Sequence, residues 1–77
     1  MKLKEIRTNR GLSQSKFAEL SGINLRTLQQ YEQGSRNING ASLESLLNMC
    51  LALDCDLTDI LTDAELIAKL QRFRTRN

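Results

Sequence analysis

Histidine is absent from the 77 residues. That removes Ser/His and Cys/His nucleophile schemes and every metal site that needs an imidazole. Cysteine occurs only twice, too few for a thiolate zinc cluster or a disulfide scaffold. Apolar runs are only a few residues long, against the ~20 residues of a membrane span. Residues 1–10 carry Lys2, Lys4, Arg7 and Arg10 but no apolar core segment, so they do not read as a signal peptide. No phosphate-cradling glycine loop is present either. Together these absences predict no enzyme activity, no cofactor, no metal and no membrane role, and a cytoplasmic location. Proline is missing too, and neither a strand-like alternation nor an internal repeat appears. What remains is 40% hydrophobic and 26% charged residues in one small domain's length, the balance of a folded globular protein.

The net charge of +2 conceals a division along the chain. Residues 1–36 hold seven bases (Lys2, Lys4, Arg7, Arg10, Lys16, Arg26, Arg36) against three acids, giving +4. Residues 37–63 hold five acids and no base, giving −5, and residues 64–77 return to +3. A basic first half suggests a polyanionic partner, although solvated surface charge reads almost as well.

The pattern is that of short helices separated by Gly, Asn and Asp. Lys2–Arg10 places Leu3 and Ile6 on one face and stops at Gly11. Ser13 suits the N-cap of a second helix, Gln14–Ser21, with Phe17 and Ala18 inward. Gly22 allows a sharp turn. Asn24 caps a third helix, Leu25–Gln33, ended by Gly34, with Leu28 and Tyr31 on its inner face. A polar loop, Ser35–Gly40, precedes a fourth helix from near Ser42. Leu43, Leu46, Leu47, Cys50 and Leu53 form its expected core stripe, with Leu51 off the stripe and Asp54 at its end. Cys50 and Cys55 are five apart, which on a helix puts them on different faces and argues against a local disulfide or metal pair. Beyond Asp54 two readings stand. Thr58 caps a short helix with Ile60 and Leu61, and the Thr62–Glu65 capping-box spacing starts another at Asp63–Phe73; alternatively Asp59–Phe73 is one helix. Leu66, Ile67, Leu70 and Phe73 form a stripe either way, and Arg74–Asn77 are expected to fray.

Function concentrates in Gln14–Tyr31. Helix, tight turn, helix is the geometry that sets one helix into the major groove of DNA. Ala18 is small where the helices cross, and Phe17, Ile23, Leu28 and Tyr31 fill the wedge between them. The opposite face of the third helix is long and polar: Arg26, Thr27, Gln29, Gln30 and Gln33.

These residues carry a resemblance. The segments LKEIRTNRGLSQSKFAELSGIN, LRTLQQYEQGSRN and SLESLLNMCLALDCDLTDIL resemble the Xre, or Cro/repressor-type, helix-turn-helix family over residues 1 to about 61. The resemblance implies an all-α, five-helix lambda-repressor-like DNA-binding domain over residues 1–62, with a C-terminal helical extension over 63–77. It implies base reading by Leu25, Arg26, Gln29 and Gln30. Arg26 would fork onto guanine, Gln30 would pair with adenine and Leu25 would meet a thymine methyl. Gln14, Lys16, Asn24, Thr27 and Arg36 are the implied phosphate contacts, with Asn37 and Asn39 in the same loop. Ser15 and Lys16 depart from the acids usual in the family. Arg7 and Glu32 match an internal ion pair. Cys55 sits where the family prefers Val.

The expected partner is a double-stranded DNA operator bound by a homodimer acting as a repressor. Leu51, Leu57, Ile60 and Leu61 would form the dimer interface, with the Leu66–Phe73 stripe extending it or folding back on its own domain. The alternative is an antitoxin-type module that holds a toxin or other protein partner through its C-terminal stripe. No small-molecule effector is implied.

Overall fold

Most helix starts lie where a side chain takes over unpaired backbone groups, and the first four helices end at a left-handed residue. The computed structural model describes residues 2–76. Its elements are α1 (Lys2–Asn9), α2 (Gln14–Ser21), α3 (Leu25–Gln33), a 3-10 turn at Ile38–Gly40, α4 (Leu43–Leu53), α5 (Leu57–Ile60) and α6 (Ala64–Thr75). Among the described residues there is no strand, so the expected all-α architecture of five helices and a C-terminal extension is present. Ser13 Oγ accepts from Lys16 N, and Asn24 Oδ1 accepts from Arg26 N and Thr27 N. Gly22 (φ 71°) and Gly34 (φ 84°) take the left-handed region where L side chains are strained.

α2 packs on both α3 and α4, while α1 touches α3 and α5. Phe17, Leu28, Met49, Leu53 and Ile60 are wholly buried where these helices meet, and Leu3, Tyr31 and Ile38 close the core. The α4 stripe differs from expectation. Leu46, Met49, Cys50 and Leu53 face inward, whereas Leu43 and Leu47 are 64% and 45% exposed. α4 is apolar on nearly all sides, so its periodicity left the buried face ambiguous, and Met49 rather than Leu47 fills the core. Leu51 is 80% exposed, as its position off the stripe predicts.

The region after α4 settles into two helices, which rules out one continuous helix over Asp59–Phe73. Leu61 is extended (ψ 144°) and breaks the helical path. Asp56, not Thr58, caps α5: its side chain and that of Asp59 satisfy each other's backbone N–H groups in a capping box. Asp63, not Thr62, caps α6. Asn39 secures the break by accepting from Thr62 N and Asp63 N at 2.9 and 3.0 Å. α6 folds back, packing Leu66, Ile67 and Leu70 on the core and leaving Phe73 exposed. It is helical through Thr75, past the Arg74 at which fraying is expected, and Arg74 forms a two-pronged ion pair with Asp56. Asn77 lies outside the described residues.

Cys55 lies just beyond α4, at the helix-exit position expected of it, and both cysteines are free. Asp54 (φ 52°) turns the chain back, and the N–H groups of Asp54 and Cys55 both donate to Cys50 O. Cys55 is therefore beyond the helix, and the i, i+5 rule for opposite faces no longer applies.

Arg7 and Glu32, both 6% exposed, form the one buried ion pair among the described residues. Arg7 Nε and Nη2 donate to the two Glu32 oxygens at 2.7 and 3.0 Å, and Nη1 donates to Leu12 O at 2.7 Å. Burial pushes the Glu32 carboxyl up, but hydrogen bonds from Arg7 and Gln14 and the Arg7 charge outweigh it and hold the pKa below the ordinary 4.5.

Removing one partner leaves the other buried and uncompensated. Arg7→Met is expected to cost about 3–5 kcal/mol in urea unfolding, and Arg7→Met/Glu32→Leu to recover much of it. The depressed Glu32 pKa means that its contribution is complete above pH 4.5 and is lost as pH falls through the folded value. The urea midpoint of wild type should therefore fall more steeply between pH 5 and about pH 3 than that of Glu32→Gln.

Candidate nucleic-acid interface

α3 has nine residues, and an α-helix with its side chains is about 10–12 Å across, which a major groove about 12 Å wide admits. Its inner residues Leu28, Tyr31 and Glu32 are buried, so its remaining positions turn outward. Leu25, Arg26, Gln29 and Gln30 line a single open concavity together with Gln33 and Ser35. The four expected base readers thus share one surface. Gln33 and Ser35 were not among the expected site residues; Gln33 follows Gln29 and Gln30 at helical spacing, which is the signal that points to it.

The two glutamines are held from opposite sides. Gln29 Nε2 donates to Gln14 Oε1 at 3.3 Å, and Arg36 Nε donates to Gln30 Oε1 at 3.0 Å. Gln14 Nε2 in turn donates to Glu32 Oε1 at 3.0 Å. A continuous path of hydrogen bonds therefore runs from the buried Arg7–Glu32 pair to the outer face of α3. Arg26 makes no ion pair among the described residues, and Leu25 is 38% exposed.

The other expected phosphate contacts are spread around this face. Asn24 uses its side-chain oxygen for the cap, with Thr27 in the first turn behind it. Lys16 projects from α2 beside Glu19, 3.7 Å away in a largely solvated pair. In the loop, Asn37 Oδ1 accepts from Asn39 N, and Asn39 is engaged with Thr62.

The basic first half is less available than its count suggests. Lys2 Nζ donates to Thr58 O and Leu61 O, at the end of α5. Arg10 donates to Leu53 O and Asp54 O, at the end of α4. Both neutralise carbonyls at helix C-termini, and Arg7 is in the core. Lys4, Lys16, Arg26 and Arg36 remain exposed.

Two capped helices meeting at a Gly22–Ile23–Asn24 turn, the second presenting a polar outer face, are the geometry the sequence predicts. The helix-turn-helix family model matches residues 3–60. The chain belongs to the Cro/repressor-type helix-turn-helix family. A DNA-binding helix-turn-helix regulator follows from that membership. No curated protein matches the chain. The match spans α1 to α5 and ends ahead of α6. This family is a DNA-binding regulatory one and not usually enzymatic. Among the described residues, no helix is long and apolar enough to cross a membrane, and no group of three or more metal-ligating side chains occurs.

The helix-turn-helix corner depends on the Asn24 cap. Asn24→Ala should cost about 1 kcal/mol. In a domain of this size that lowers the melting temperature by about 4–8 °C. Amide exchange should accelerate first at Arg26 and Thr27, whose N–H groups lose their acceptor.

Proposed function

We propose that the chain is a sequence-specific repressor that reads double-stranded DNA with the outer face of α3 and binds a near-palindromic operator as a homodimer. The observation that carries this reading is the single concavity joining Leu25, Arg26, Gln29 and Gln30. Arg26 reads guanine O6 and N7, and Gln30 reads adenine N6 and N7, each pairing being worth about 1–3 kcal/mol of discrimination. Leu25 covers a thymine methyl, and Gln29 reads beside it. Arg36 engages a phosphate while it steadies the Gln30 amide. Lys16, Asn24, Thr27 and Gln14 set the register on the backbone, aided by the N-terminal N–H groups of α2 and α3.

Dimerisation supplies specificity that one short helix lacks, with half-sites one helical turn, about 34 Å, apart. Ile60 and Leu61 are 0% and 3% exposed, so the expected dimer surface shrinks to Leu51 and Leu57, with Leu47 joining from α4. The exposed Leu51 and Phe73 also favour the second reading, an antitoxin-type protein contact. Deleting residues 63–77 would expose the core beneath Leu66, Ile67 and Leu70 and so blur the two readings. Leu51→Lys and Phe73→Ala keep the core and separate them: loss of DNA affinity together with the dimer supports the homodimer, whereas intact DNA binding without the protein partner supports the antitoxin role.

Selection of bound sequences from random duplexes at fixed salt tests the main reading, with a two-fold symmetric motif as the expected result. Arg26→Ala should alter base preference at one position per half-site. Lys16→Ala should weaken all sequences evenly and reduce the salt slope by about 0.9 for each phosphate that is no longer neutralised. Salt-erased binding without a motif would refute sequence-specific reading.

A further inference from the structure

α4 ends in a Schellman-type motif. Asp54 is the left-handed residue, and the N–H of Cys55 returns to the carbonyl of Cys50 at 3.1 Å. This motif sets two side chains against each other, normally as an apolar contact. Here both are cysteines, and both thiols are free and line the same open groove with Leu47, Leu51 and Leu57.

We propose that Cys50 and Cys55 form a redox-modification site that low-molecular-weight disulfides convert reversibly into one intrachain disulfide. The turn at Asp54 sets the two positions at facing places of one motif, and both side chains open on one groove, the arrangement from which a disulfide can close. The order of steps follows from exposure. Cys50 is 7% exposed and sits in the core cluster, whereas Cys55 is half-buried. The Cys55 thiolate attacks the external disulfide and releases one small thiolate. The Cys50 thiolate then attacks Cys55 Sγ and expels the second. The pair loses two electrons, the external disulfide gains them, and the two cysteine protons end on the two small thiols.

The surroundings make the site slow at neutral pH. Burial, with the neighbouring Cys55 and the Asp56 and Asp59 charges, pushes the Cys50 thiol up to about 12. Burial also raises Cys55, opposed by its contact with Cys50 and by Arg10, and reinforced by Asp59 and Asp56. Arg74 faces the same groove from α6. The thiolate fraction therefore limits the first step.

The test is incubation of the full chain with glutathione disulfide, followed by intact mass and peptide mapping. The expected product has lost two hydrogens, carries no lasting glutathione adduct, joins Cys50 to Cys55 and reverts with dithiothreitol. Its rate should rise about tenfold per pH unit between pH 7 and pH 9. Cys50→Ser should stop at a stable glutathione adduct on Cys55, and Cys55→Ser should stay unmodified over the same time. A persistent wild-type adduct, disulfide-linked dimers or no oxidation would overturn the proposal. The site shares no residue with the α3 concavity but shares its groove with Leu47, Leu51 and Leu57 of the proposed dimer surface, so the oxidation is read by mass on the chain without DNA, where a failure of base reading does not affect it.

Discussion

The buried Arg7–Glu32 pair is the constraint on which the rest of the geometry depends. It joins α1 to the end of α3, and through Arg7 Nη1 it also holds the Leu12 carbonyl in the link to α2. Its two planar groups meet in parallel, so they specify orientation as well as distance. Gln14 extends that constraint outward, with one end of its amide on Glu32 and the other on Gln29. A charge pair in the core thereby fixes a side chain on the outer face of α3. A hydrophobic replacement of the pair could restore stability and still leave Gln14, and hence Gln29, without an anchor.

With no proline, the chain ends its helices by other means. Left-handed residues at Gly11, Gly22, Gly34 and Asp54 stop four of them, and Ser13, Asn24, Ser42, Asp56 and Asp63 start five. The open carbonyls at the ends of α4 and α5 attract cations from α1 and the residue after it: Arg10 and Lys2. These long side chains stitch distant parts of the chain together. Charge that reads as affinity for a polyanion is thus partly structural, and the surviving exposed bases are fewer and better placed.

Most of this was legible where a residue type has one dominant physical use. Asn and Ser before an apolar run, Gly after one, and an inward Phe17–Ala18 pair leave few alternatives, and α2 and α3 follow the expected limits. Legibility failed where the composition was uniform. α4 is leucine-rich on several faces, so only packing could choose Met49 over Leu47. Asp56, Thr58, Thr62 and Asp63 are all competent caps, and Asn39, distant in sequence, decides in favour of Asp63 by binding the break ahead of it. The adjacency of Cys50 and Cys55 depends on one left-handed residue; a helical rule applied across Asp54 gives the wrong face. On the α3 surface, the outward residues were readable from period alone, but the bonds to Gln14 and Arg36 were not.

Charge placement decides which face can approach a polyanion. Glu44, Asp54, Asp56, Asp59 and Asp63 are spread along α4, α5 and the start of α6, and no base occurs in residues 37–63. Phosphates are repelled from that side within the screening distance of about 8 Å at physiological salt. The exposed leucines of α4 lie in this acidic region and so cannot serve DNA contact. They are accessible to a protein surface, and Arg74 offsets the Asp56 charge beside them. α3, α2 and the Arg36 loop carry most of the remaining exposed bases of the first half. Positive charge, the open concavity and the N-terminal ends of α2 and α3 thus occupy one side of the sequence's division, and apolar surface with negative charge occupies the other. In a domain this small, the charge division along the chain therefore separates the surface that faces a polyanion from the exposed leucines of α4.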